Sequence, residues 1–88
     1  MNCQFLPSFA RDLKKIRNPP ILERVRAAIE SVERAANPAA VRHLEMLSGA
    51  QDCYRIRVGN YRIGLTIAAD TVTFVRCLHR REIYRYFP

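Results

Sequence analysis

Apolar residues fall at every second position on both sides of Gly59-Asn60: Tyr54, Ile56 and Val58 before the pair, then Tyr61, Ile63, Leu65 and Ile67 after it. Successive side chains of a strand point to opposite faces, so the pattern describes two half-buried strands sharing one apolar face. A helix would scatter these residues around its axis. Glycine in the first central position of a two-residue loop suits a type II′ turn, which joins antiparallel strands directly. The fold must therefore contain a tight antiparallel hairpin whose apolar face has to be covered.

The cover lies upstream. Asn2 to Leu6 reads as a short strand ended by Pro7. Ser8 stands where a helix N-cap should, and Phe9, Leu13 and Ile16 recur at helical spacing while Asp12 and Lys15 face outward, which predicts a helix of about ten residues. Asn18-Pro19-Pro20 breaks it. Ile21, Leu22, Val25, Ile29 and Val32 then form the stripe of a second helix, opposed by Glu23, Arg24, Glu30 and Glu33 and ending near Asn37-Pro38. So short a connection predicts an antiparallel helical hairpin. In the mixed segment from Ala39 to Ala50, Leu44 and Leu47 are expected to pack in a short turn of helix. Thr71 to Leu78, after an Ala-Ala-Asp turn, supplies a third strand of a meander. This order predicts an α+β fold: an N-terminal strand, a helical hairpin, then an antiparallel meander, about four strands in all with the helices on one sheet face. With 88 residues the chain supports one modest core, so residues 1–88 are expected to form a single domain.

Several classes are excluded. The hydrophobic fraction of 49% is too high for a disordered basic tail. No apolar run approaches the roughly 20 residues that cross a bilayer, and Met1 to Leu6 lacks the features of a secretory signal, so a cytoplasmic protein without membrane partners is expected. Cys3, Cys53 and Cys77 show no Cys-x-x-Cys or Cys-x-x-His spacing; they read as reduced, mostly buried small hydrophobes, and no metal site is expected.

The formal net charge is +7 and unevenly placed. Met1 to Asp52 holds eight Lys+Arg against six Asp+Glu, a net of +2, whereas Cys53 to Pro88 holds seven Arg against Asp70 and Glu82, a net of +5. Of the 15 basic residues 13 are arginine, whose planar fork binds phosphate through two hydrogen bonds at once. With Gly59-Asn60 as the loop, Arg57 lies opposite Arg62 and Arg55 opposite Gly64, all away from the apolar face. Like charges directly opposite on a sheet cost up to about 1 kcal/mol, and nothing in the fold requires them. Gly64 weakens its own strand and marks a place of close approach. Together they predict an anion site on the exposed sheet face. By strict alternation Thr73, Val75 and Cys77 share that face, joined by His79 if the strand persists. Arg76 then falls on the covered face near Ile63, unless it reaches an edge or a bulge shifts the register.

Three segments resemble the RelE/ParE toxin superfamily of toxin–antitoxin modules. Pro7-Ser8-Phe9-Ala10-Arg11-Asp12-Leu13-Lys14-Lys15 is similar to the family's first helix. Asp52-Cys53-Tyr54-Arg55-Ile56-Arg57-Val58-Gly59-Asn60-Tyr61-Arg62-Ile63 is similar to its central hairpin, and Leu78-His79-Arg80-Arg81-Glu82-Ile83-Tyr84 to its terminal motif. The resemblance covers nearly the whole chain and implies the same compact α+β fold. For RelE-like members it implies an endoribonuclease, without metal or cofactor, that cuts messenger RNA in the ribosomal A site. A ribose 2′-oxygen attacks the adjacent phosphate, leaving a 2′,3′-cyclic phosphate and a 5′-hydroxyl. By motif position, Arg62 is implied as the phosphate-stabilising arginine, Arg80 or Arg81 as the second, and Tyr84 as the terminal tyrosine that orients or stacks on substrate. Arg57 joins this catalytic set, with Arg55, Arg81 and Arg85 as RNA-binding residues.

Arg55 and Arg57 stand where the best-known RelE members carry lysines, and an arginine, with a pKa above about 12, is a poor general base. The proton-transfer role therefore stays open between His79, whose imidazole suits the pH range, and Tyr84. The implied partners are the 70S ribosome with its mRNA and a small acidic antitoxin. In the heteromeric complex that antitoxin would cover the arginine face or displace the Tyr84 tail. Two other readings remain: a ParE-like inhibitor of DNA gyrase, and a non-catalytic RNA- or ribosome-binding module gripping phosphate with arginines and stacking bases on Tyr54, Tyr61 and Tyr84.

Overall fold

The computed structural model describes residues 1–88. The elements follow as β1 (Asn2–Phe5), α1 (Pro7–Lys15), α2 (Pro19–Arg34), β2 (Leu44–Met46), β3 (Cys53–Val58), β4 (Tyr61–Ala68), β5 (Thr71–His79) and α3 (Ile83–Tyr86). They build one five-stranded sheet in the order β1-β5-β4-β3-β2, with β1 parallel to β5 and every other pair antiparallel. This is the expected α+β architecture. No helix is long and apolar enough to cross a membrane.

The hairpin takes the predicted register: Val58 pairs with Tyr61, Arg57 with Arg62 and Arg55 with Gly64. Gly59 adopts φ 57°, the left-handed value that the first central position of a type II′ turn requires. Ile56, Val58, Ile63, Leu65 and Ile67 are buried on the covered face, where they meet Phe9 of α1 and Ile21, Val25 and Val32 of α2. The Asn18 side chain caps α2 by accepting from the Ile21 amide at 3.2 Å.

The expected helical turn around Leu44 and Leu47 is instead β2. Leu44 pairs with Ile56, Glu45 with Arg55 and Met46 with Tyr54. Without it the outer edge of β3 would leave its backbone groups unpaired, a demand that outweighs the local pattern of so short a segment. One turn of 3-10 helix does form, but earlier, at Pro38–Ala40.

β5 departs from strict alternation. It pairs in step with β4 from Ala68 and Thr71 to Leu65 and Phe74; then Gly64 faces Arg76, leaving Val75 as a bulge. Every later side chain changes face. Cys77 falls opposite Ile63 in the core rather than among the arginines, and Arg76 falls opposite Gly64 rather than beneath the helices. His79 falls opposite Tyr61, on the helix side.

α1 holds this bulge. The Ser8 hydroxyl donates to the Val75 carbonyl at 2.6 Å. One turn later the Asp12 carboxylate accepts from the Cys77 amide at 2.9 Å and from Arg76 Nε and Nη2 at 2.7 and 3.1 Å. Asp12, expected to face water, is 4% exposed. Nor is Ser8 the N-cap: Leu6 occupies that position, with Pro7 opening the helix. The bond to Asp12 holds the Arg76 guanidinium protonated to still higher pH than usual.

Asp12→Ala leaves the Cys77 amide and Arg76 without their acceptor and is expected to cost about 3 kcal/mol, read from urea unfolding, whereas Asp12→Asn keeps one acceptor and costs less. An Asp12→Ala protein as stable as the native one would contradict this role. Burial, and then the Asp12 charge, push the Cys77 thiol from 9.0 up to about 12. A folded value above the unfolded one contributes stability below pH 9.0 that is lost as the pH rises towards about 12. Iodoacetamide at pH 8.5 should accordingly spare Cys77 in the native protein and label it only after unfolding.

Candidate functional site

The face of the sheet away from α1 and α2 carries Arg55 and Arg57 on β3 and Arg62 on β4, with Gly64 beside Arg55. The Gly59-Asn60 turn fixes the register, and the period of two does the rest. β2 adds Glu45, and His43 stands just before it. α3 folds back over the same face, bringing Tyr84. His43, Leu44, Glu45, Arg55, Arg57, Arg62 and Tyr84 line one groove of about 330 Å³.

In the groove each arginine rests on a partner that an anion could replace. Arg55 Nη2 meets Glu45 Oε1 at 2.9 Å, and its guanidinium lies 4.6 Å over the Tyr84 ring. Arg57 Nη2 lies 3.4 Å from His43 Nδ1. Arg62 Nη1 donates to the Gly59 and Tyr61 carbonyls at 2.8 and 2.9 Å, a loan to two main-chain oxygens rather than to a carboxylate. The exposed contacts to Glu45 and His43 hold their guanidinium forks in place at little energetic cost to their exchange, while the Arg62 contacts are half-buried.

The tail that delivers Tyr84 is anchored by apolar contacts separate from the main core. Ile83 and Phe87 are buried while Tyr84, between them, is 70% exposed. Phe87 lies flat against Gly64: a Cβ built there would meet its ring at 2.6 Å. The close approach expected at Gly64 is thus made by the chain's own terminus. Arg76 adds a second cation–π contact, 5.3 Å over Tyr86.

Of the residues singled out in the sequence, Arg55, Arg57, Arg62 and Tyr84 come together. Arg80, Arg81 and Arg85 are exposed and do not line the groove; the Arg80 amide donates to the Asn60 carbonyl at 2.7 Å, which ties the tail to the hairpin loop. His79 stands on the opposite sheet face, edge-on to Tyr61 at 5.7 Å, with its Nδ1 accepting from the Arg81 amide at 3.2 Å. The bulge at Val75 is what separates it from the arginines. His43 and Glu45 are the residues the sequence reading missed. A three-residue strand has no periodicity to announce it, and only the pairing of Glu45 with Arg55 reveals its register.

A model of the ParE toxin of type II toxin–antitoxin systems matches residues 3–84. The chain is also 38% identical over 89 residues to toxin RelE3 of Methanocaldococcus jannaschii, spanning 100% of both chains. It belongs to the RelE/ParE superfamily of type II toxins. The RelB–RelE antitoxin–toxin complex from Methanococcus jannaschii is similar in structure, with a TM-score of 0.79 at 38% identity over 97% of this chain and 99% of that one. The YoeB dimer from Staphylococcus aureus shares the fold, with a TM-score of 0.72 at 18% identity over 90% of this chain and 95% of that one. Within this RelE/ParE toxin the groove and its latched tail share the face of the sheet away from α1 and α2.

Gly64→Ala forces the Phe87 ring off the sheet. Overpacking of this kind costs about 1–3 kcal/mol, which raises the open population of the tail by about fivefold to about 150-fold. Trypsin cleavage after Arg81 and Arg85 should accelerate accordingly while β3 and β4 stay protected. Unchanged cleavage would show that Phe87 does not hold the tail.

Proposed function

We propose that this toxin is a metal-independent endoribonuclease that cleaves messenger RNA in the ribosomal A site. The single observation that carries the reading is the facing pair Arg57 and Arg62, set with Arg55 and Tyr84 in one groove. The reaction joins a ribose 2′-oxygen to the adjacent phosphorus and expels the 5′-oxygen, so negative charge builds on the phosphoryl oxygens in the transition state. Two guanidinium groups fixed on neighbouring strands are preorganised to receive that charge without moving far. Arg62 suits the phosphoryl oxygens, with Arg57 as its partner. Tyr84, exposed over Arg55, offers a ring for a base to stack on. Arg80, Arg81 and Arg85, outside the groove, suit the flanking phosphates and ribosomal RNA.

The natural partner under this reading is a small acidic antitoxin in a heteromeric complex; the similar RelE from Methanococcus jannaschii is found in a complex with the antitoxin RelB. Its carboxylates would pair with the groove arginines or its chain would displace the Phe87 latch. A second reading, inhibition of DNA gyrase by binding alone, is favoured by the match to the ParE toxin description.

Primer extension on ribosome-bound transcripts after induction separates the two. The native protein should leave discrete A-site ends, and Arg62→Ala should abolish both the ends and growth arrest while its circular dichroism stays native. DNA damage without RNA ends would support the gyrase reading, and a fully toxic Arg62→Ala protein would remove Arg62 from the mechanism.

A further inference from the structure

We infer that His43 is the general base of the cleavage reaction, taking the proton from the attacking 2′-hydroxyl through Nδ1; this rests on the ribonuclease reading above. The arginines cannot serve, because a guanidinium stays protonated at any working pH. The Glu45 carboxylate makes the shorter and fully charged contact, 2.9 Å to Arg55 Nη2, against 3.4 Å for the His43 ring on Arg57, and His79 faces the other side of the sheet. His43 is the imidazole that the groove contains.

Three observations place it for the task. First, Nδ1 is aimed at Arg57, 3.4 Å away, and an arginine only donates, so the contact is a hydrogen bond in the tautomer whose lone pair is on Nδ1. Second, the backbone is held from the same residue: the Arg57 amide donates to the His43 carbonyl at 3.5 Å, so ring and main chain are both registered to β3. Third, His43 adopts φ 62°, a left-handed conformation that is uncommon outside glycine and that concentrates at functional sites. That conformation turns the chain into β2 immediately before Leu44 and leaves the imidazole exposed at the mouth of the groove.

The charged groups around it are consistent with the role. Arg24 of α2 and the adjacent Arg42 share its outer side. Glu45, Arg55, Arg57, Arg62 and the Tyr84 phenol share its inner side. When a phosphate enters, Arg57 turns from Nδ1 to a phosphoryl oxygen, a stronger charge-assisted bond. The freed lone pair then faces the ribose edge. The O2′–H bond breaks with its proton passing to Nδ1 while the O2′–P bond forms. The P–O5′ bond breaks, the departing 5′-oxygen takes a proton from water, and the imidazolium returns its own proton to solvent.

The test is A-site cleavage of a defined transcript on programmed ribosomes, measured from mildly acidic to mildly alkaline pH with the native protein, His43→Gln and His43→Ala. Glutamine can still accept from Arg57 but cannot carry a proton. Both variants should be slower by about 100-fold or more at neutral pH, and should lose the acid-side fall in rate that the native enzyme shows. Cleavage by His43→Gln within threefold of native, with the acid limb intact, overturns the assignment and leaves the ribonuclease reading standing. Absence of cleavage by the native protein overturns both.

Discussion

Ser8 and Asp12, one turn apart on α1, hold β5 at its extra residue, Val75, and just beyond it at Arg76 and Cys77. The alternative to that bulge is severe. In strict alternation Arg76 would lie under the helices beside Ile63, and an unpaired guanidinium in such a place costs several kcal/mol. With Val75 bulged, Arg76 instead reaches a carboxylate at the sheet edge, the same carboxylate that satisfies the Cys77 amide. Charge-assisted bonds of this kind contribute about 1.5–3 kcal/mol each. For a small domain whose total stability is about 5–15 kcal/mol, the register of β5 therefore hangs on two short side chains of the first helix.

The groove inherits its form from that register. Gly64, opposite Arg76, puts no side chain on that face of β4, and Phe87 fills the space. The buried Ile83 and Phe87 then fix the short helix between them, which leaves Tyr84 no choice but to lie out over Arg55. On the other flank β2 brings His43 and Glu45 against the same arginines. The like-charged pair across the hairpin is a standing cost of the native state that an anion between the two guanidinium groups would offset. Groove arginines leaning on a tyrosine ring, a histidine nitrogen and two turn carbonyls are held in place and still available.

The hairpin and the second helix were legible in the sequence because both are local. Gly59-Asn60 sets the pairing of Arg57 with Arg62 by geometry alone, and the stripe through Ile21, Val25 and Val32 needs no knowledge of the rest of the fold. The bulge was foreseen only as one of two ways to relieve Arg76, since Val75 fits a strand whichever way it points. Asp12 read as an outward helical residue because its partners lie 64 and 65 positions away in the chain. The same distance hid the consequence for His79, whose face depends on a register set by α1. β2 and His43 were missed for a different reason: three residues are too few to show a period, and the strand exists because the edge of β3 needs a partner.

Phosphoryl transfer to a neighbouring ribose oxygen in the arginine groove leaves its signature in the chemistry of the RNA ends. Purified toxin, incubated with programmed ribosomes, is predicted to leave 2′,3′-cyclic phosphate and 5′-hydroxyl ends at the A-site codon. Ends bearing a 5′-phosphate, or intact RNA accompanied by gyrase-dependent DNA breaks, would contradict the account.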